Sequence, residues 1–336
     1  MTTYKTIRGT HIVSVTSDPP SPVNGQMWYN STDKAIKGFV SNPVGSWATG
    51  GAMNTARRYP GGAGTQTAAL GFGGLISPPG DTLFDNTEQY NGTSWTEVNN
   101  LNTSRYQGGN AGTSYDAVLL SGGYATARNG NVESWNGTSW TEVADLSVAK
   151  YGGMSSGTNT SATVAGGNGP PNAYLSTNES WNGSSWTEVG DLNTARANGP
   201  GGGSGTSNTS ALVFGGRTSA TPDETAVTEL WNGSSWTELN DLNSARFDMG
   251  SSKGSVTSAV AFGGYDSDFT AKTESWNGTS WTETTDLSAA KADVGGSGAS
   301  NASALAFGGR TPPNNPSTTT EEFTSPTTST VTFTVS

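Results

Sequence analysis

Cysteine is absent from the 336 residues, and histidine occurs once, as His11. Without thiols the chain has no disulfides, no thiolate metal sites and no cysteine nucleophile. With one imidazole, close to a terminus, a Ser-His-Asp triad has little to be built from. Cations are scarce too: 16 Lys and Arg stand against 27 Asp and Glu, a net charge of -11, and no basic cluster interrupts that field. Binding phosphates draws on clustered cations, so no nucleic-acid partner is expected. No apolar run reaches the roughly 18 residues of a membrane span. The opening MTTYKTIRGTHIVSV has neither the charged start, the long apolar stretch nor the small-residue cleavage site of a secretory signal. No membrane insertion is expected, and synthesis is expected in a cytosol.

What the chain does have is repetition. Gly-Gly doublets close short apolar runs at Gly73-Gly74, Gly122-Gly123, Gly166-Gly167, Gly215-Gly216, Gly263-Gly264 and Gly308-Gly309, spaced 49, 44, 49, 48 and 45 residues apart. A period in that range signals a propeller or solenoid. Because repeated units share a continuous core, residues 1–336 are expected to form one domain, with six repeats over 51–336. Each doublet run, such as SATVAGG at 161–167, has the length and apolarity of a strand covered on both faces. A hairpin such as ESWNGTSWTEV (133–143) follows, with Asn136-Gly137 as a two-residue type I′ turn. That turn would set Trp135 opposite Thr138 and Glu133 opposite Trp140. An unusually small segment, such as GGMSSGT at 152–158, precedes each run and suits strands converging on a narrow channel. Four strands per repeat make the blade of a β-propeller.

Two tryptophan slots recur in the hairpin. Trp135, Trp181, Trp231 and Trp276 fill the first, and Trp47, Trp95, Trp140, Trp186, Trp236 and Trp281 the second. Rings of this size on one face need a neighbouring repeat to cover them, which makes them packing residues between blades. Charges recur as well: Glu88, Glu133, Glu179, Glu229 and Glu274 before the first aromatic, and Arg57, Arg105, Lys150, Arg196, Arg246 and Lys291 closing each linker. A residue type that returns in every repeat serves the fold, through hydrogen bonds and ion pairs.

The spaced pattern of Gly-Gly, aromatic and Trp over residues 56–323 resembles the kelch repeat. The resemblance implies an all-β, kelch-like propeller of four-stranded blades. Residues 1–50 read as a degenerate first blade or an attachment segment, since Trp47 falls in the second-tryptophan slot and MNTARR matches the linker LNTAR. Seven blades are favoured; the alternative is six, with N- and C-terminal strands sharing one blade. NGQMWYNSTDKAIKGFV (24–40) is similar to a module of tail and fibre proteins of tailed bacteriophages, and WNGTSWTEV and DLNTAR are similar to the wording of phage virion propellers.

No cofactor and no catalytic residue is expected. Some kelch-type propellers are copper oxidases, but such a site needs several histidines or a modified cysteine. Asp266-Ser267-Asp268 lacks the further carboxylates of a calcium site, and the channel-facing strands offer almost no acid for a glycosidase. What varies between repeats is the loop after each doublet, and variable loops on a rigid scaffold are where recognition resides. Tyr124, Tyr174, Arg217, Tyr265, Phe269 and Arg310 are the candidate ligand contacts. The expectation is a non-enzymatic virion protein that presents these loops to a host-surface glycan or protein, alongside other virion proteins. The alternatives are a scaffold joining virion subunits and, behind it, a propeller glycosidase.

Overall fold

The structure is a computed structural model that describes residues 12–23, 25–41, 45–77, 80–199, 201–325 and 328–333. His11, the only imidazole, and Asn24, the start of the tail-like segment, lie outside the described residues. The described residues contain no helix. They divide into two compact units, one of residues 46–324 and one made of the residues before and after it.

The larger unit is a β-propeller of six four-stranded sheets. Blade 1 comprises Gly61–Gly64, Ala69–Phe72, Thr87–Tyr90 and Trp95–Val98, from axis to rim. Blades 2 to 5 repeat the plan over 109–143, 154–189, 203–238 and 250–283. Blade 6 takes three strands from 295–324, and its outermost strand is Ser46–Thr49. Phe323 pairs with Trp47 there, reproducing the aromatic pair of the other hairpins with one ring from each end of the unit.

Backbone hydrogen bonds close the ring. The second glycine of each doublet donates to the carbonyl of the cation that leads into the next blade: Gly74 to Arg105, Gly123 to Lys150, Gly167 to Arg196, Gly216 to Arg246 and Gly264 to Lys291. Gly309 of blade 6 donates to Arg57, which leads into blade 1, at 2.9 Å. The favoured count of seven is therefore corrected to six. Trp47 was a true marker of a rim strand, but the three strands it completes lie at the far end of the sequence.

Small residues at the axis have the expected cause. A Cβ on Gly62 would sit 2.3 Å from the carbonyl oxygen of Gly296 in blade 6, and one on Gly203 would sit 2.4 Å from that of Ser155 in blade 3. Innermost strands of neighbouring blades approach too closely for any side chain at these points.

The hairpin register differs from expectation. Trp135 faces Trp140 and Glu133 faces Glu142, across a four-residue loop. The Asn136 carboxamide oxygen accepts from the N–H of Thr138 and of Ser139, both at 2.9 Å, so an Asx turn replaces the two-residue type I′ turn. Both tryptophans still share a face, with ring centroids 5.4 Å apart. They are buried in one cluster with Ala63, Leu70 and Phe72 of blade 1, so the pair packs between blades. Trp181, Trp231 and Trp276 are buried against their preceding blades in the same manner.

In the smaller unit, Val13–Val15 runs parallel to Met27–Asn30, which pairs antiparallel with Ala35–Ser41, and that strand pairs with Thr328–Phe333. The C-terminal segment 328–333 belongs to this sheet, not to the last blade. Asp18 organises the sheet, accepting from Lys37 Nζ and Trp28 Nε1 at 2.9 Å and from Asn30 Nδ2 at 2.8 Å. Those donors hold its carboxyl down to about 2.

Candidate functional site at the mouth of the propeller axis

Each linker carries a cation followed by two residues that differ from blade to blade. The cation is buried and pairs with the glutamate of the blade it enters: Arg57 with Glu88, Arg105 with Glu133, Lys150 with Glu179, Arg196 with Glu229, Arg246 with Glu274, and Lys291 with Glu321. The carboxylate is further satisfied by the linker backbone. Glu133, for example, accepts from Asn102 N–H at 2.8 Å and from Asn102 Nδ2 at 2.9 Å. Burial depresses the pKa of Arg57, Arg105 and Arg196 against these partners. These are spokes that fix linkers to blades.

The residue after the cation forms a backbone bridge with the first residue after a doublet: Tyr106 with Tyr124, Ala197 with Arg217, Phe247 with Tyr265, and Ala292 with Arg310. Linker and variable loop are thereby joined at one mouth. The next residue turns inward over the axis, and its backbone is left-handed at Tyr59, Gln107, Gly152, Asp248 and Asp293, with φ of 51°, 52°, 65°, 54° and 59°. A partial ring of hydrogen bonds ties these residues together. Tyr59 N donates to Asp293 O at 2.9 Å, Asp293 N to Asp248 O at 2.8 Å, and Gly152 N to Gln107 O at 2.7 Å. Where Asp248 would continue the ring, its N–H donates instead to the Asn198 side-chain oxygen, at 2.8 Å. Non-glycine residues held at positive φ are strained, and such strain concentrates at functional sites.

Above this ring lies a three-lobed bowl. The lobes, of about 560, 180 and 450 Å³, all meet at Tyr59. All six residues singled out from sequence line it: Tyr124 in the first lobe, Tyr174 in the second, Arg217 in the second and third, and Tyr265, Phe269 and Arg310 in the third. Sequence reasoning missed the linker side, notably Tyr59, Tyr106, Tyr151, Phe247 and Asp248. Their signal was present as the two changing positions after each repeated cation.

Aromatic rings form an arc around the bowl. Tyr59, Tyr106, Tyr124 and Tyr151 follow one another at centroid separations of 5.7, 5.6 and 5.7 Å, and Phe247, Tyr265 and Phe269 at 5.5 and 5.7 Å. Arginines lie over these rings: Arg58 over Tyr59, Arg128 over Tyr151, Arg217 over Phe247 at 4.6 Å, and Arg310 over Phe269 at 4.9 Å.

Two linker carboxyls lie near one another here, and of the two Asp248 lines the bowl. Asp293 is fully buried, with Arg58 Nε at 2.8 Å and Arg310 Nε at 2.6 Å from its Oδ2. Asp248 accepts from the Tyr59 hydroxyl at 2.8 Å. Burial, and then the neighbouring Asp293, push Asp248 up to about 7. Burial also raises Asp293, against the pull of Arg310 and Arg58. Burial lifts the Tyr106 phenol to about 12. Among the described residues no group of three or more acidic, histidine or cysteine side chains is arranged to hold a metal. The bowl therefore offers flat apolar faces, fixed guanidinium and amide donors, and a carboxyl at the floor.

No family model matches the chain, and no curated protein matches it. Among solved structures, one described as the structure of YjhT superposes with a TM-score of 0.64 at 15% identity, over 83% of this chain and 99% of that one. That likeness is one of fold, and with the six sheets it identifies the architecture as a β-propeller.

Proposed function

We propose that the protein is a non-enzymatic carbohydrate-binding propeller of a tailed-phage virion, holding a host-surface glycan in the bowl over its axis. The observation that carries this is that the three lobes share Tyr59 in their linings and bring aromatic faces and polar groups together. A pyranose presents C–H faces that pack on Tyr or Phe rings and hydroxyls that hydrogen-bond to Arg, Asn and Asp, so this lining suits it. Placement on a virion, beside other virion proteins, rests on the kelch-like repeat and the tail-protein wording of residues 24–40.

The test is an array of immobilised host-surface glycans, probed with the wild type and with Tyr124→Ala plus Tyr265→Ala. Binding by the wild type and its loss in the double variant support the proposal. Stable assembly onto other virion proteins with no binding to any host surface would overturn it in favour of a scaffold.

A second reading, glycoside hydrolysis, is favoured by one observation: the linker carboxyl Asp248 lines the bowl and is pushed up to about 7 by burial and by Asp293. New reducing ends released from a bound glycan, and abolished by Asp248→Ala, would establish it.

A further inference from the structure

We propose that Asp248 is a proton-gated contact to the saccharide, which is held with the Asp248 carboxyl protonated and donating to a sugar oxygen. The inference rests on the sugar-binding proposal above and specifies how that site is regulated.

Asp248 lines two of the three lobes, at their junction. It is only 7% exposed, and its backbone is pinned on both sides, by Asn198 at its N–H and by Asp293 at its carbonyl. Its carboxyl, held by the Tyr59 hydroxyl at 2.8 Å, lies in the lining that these two lobes share.

The surrounding charges come next. Tyr59 approaches from the linker into blade 1, Asp293 from the linker into blade 6, Arg310 and Arg217 from the loops of blades 6 and 4, and Tyr174 from the loop of blade 3. The cations make their ion pairs elsewhere, Arg310 and Arg58 with Asp293 and Arg217 with Asp223 at 2.5 Å, and the downward pull of Arg310 and Arg217 on Asp248 is outweighed by burial and Asp293. Among the described residues no ion pair is made by Asp248.

The consequence follows from solvation. An ionised Asp248 beside Asp293 depends on the water that still reaches it through the bowl. A saccharide seated in the lobes removes that water and leaves an ionised Asp248 without an ion-pair partner in a dry floor, while Asp293 keeps Arg58 and Arg310, so the bound state favours the proton. Linkage makes the effect reciprocal: binding takes up a proton, and protonation tightens binding. Affinity is thus highest at acid pH and falls as pH rises through the range in which Asp248 ionises.

The experiment is the same glycan array read at about pH 5.5 and about pH 8.5, with wild type and Asp248→Asn, where a one-proton coupling changes affinity by up to about tenfold per pH unit. The wild type should bind several-fold more weakly at the higher pH. Asp248→Asn, which keeps the donor and cannot ionise, should bind at both with a flat profile. Equal wild-type binding at the two pH values, or an unchanged slope in Asp248→Asn, would overturn the proton gate and leave sugar binding intact. No wild-type binding at either pH would overturn the sugar-binding proposal, and the gate with it. Should Asp248→Asn not fold, calorimetry of the wild type with an array-positive glycan in two buffers of different ionisation enthalpy decides. Uptake approaching one proton near neutral pH supports the gate, and zero uptake refutes it.

Discussion

Within each linker two regions of the molecule meet across a single peptide bond, and they obey opposite rules. Arg57, Arg105, Lys150, Arg196, Arg246 and Lys291 are buried cations, each on a glutamate of its own blade. The residues that follow them run Arg58-Tyr59, Tyr106-Gln107, Tyr151-Gly152, Ala197-Asn198, Phe247-Asp248 and Ala292-Asp293, with no residue type common to all six. The spokes repeat because every blade must solve the same burial problem. The side chains at the mouth do not repeat, although five of its six inward-turning residues share a left-handed backbone.

The sharpest way to break the comparison is to remove one partner from a spoke. Glu133→Ala leaves Arg105 buried without its carboxylate, and stability should fall by about 3–5 kcal/mol. A urea midpoint left unchanged would mean the spokes are not what ties linker to blade. Trp47→Ala tests ring closure. Trp47 is only partly buried, but it packs on Phe262 and Phe323 at 5.2 and 5.1 Å and donates to Thr285 O at 3.0 Å. A loss of about 2–3 kcal/mol is expected, below the usual range for a fully buried tryptophan. An unperturbed thermal transition would argue that the shared blade is held by its backbone alone. Asn136→Ala removes the one side-chain oxygen that accepts two backbone hydrogen bonds in an exposed turn and should cost about 1 kcal/mol. The same change at Asn277, whose oxygen accepts from Thr279 and Ser280 at 2.9 Å, should cost the same within error, because the turns are copies.

The spokes, the tryptophan slots and the small inner strands could be read in the sequence because each is imposed six times by the same packing constraint. Blade count could not be read in the same way: a rim strand is recognised by Trp47 alone, and nothing local says that its partner is Phe323. The hairpin register misled for a different reason. Asn-Gly carries two meanings, and the choice between them depends on whether the asparagine oxygen caps the following amides, a side-chain decision invisible to strand alternation. At the mouth, the loop half was legible through its variability. The linker half was hidden because Tyr59, Asp248 and Asp293 sit two residues after a conspicuous repeated cation, and their inward turn depends on a left-handed backbone that non-glycine residues seldom adopt.

The smallest stability effect belongs to the substitution with the largest functional one. Tyr124 and Tyr265 are half-buried, and the backbone bonds at each bridge, Tyr124 N to Tyr106 O at 2.9 Å and Tyr265 N to Phe247 O at 2.8 Å, do not involve the side chains. Truncating both rings removes stacking in an open bowl and should shift stability by no more than about 1 kcal/mol. If sugar binding disappears while the urea midpoint holds, the mouth is a recognition surface carried by a frame that does not need it. If Tyr124→Ala plus Tyr265→Ala destabilises as much as Glu133→Ala, the aromatic arc is itself part of the frame, and the division between spoke and mouth fails.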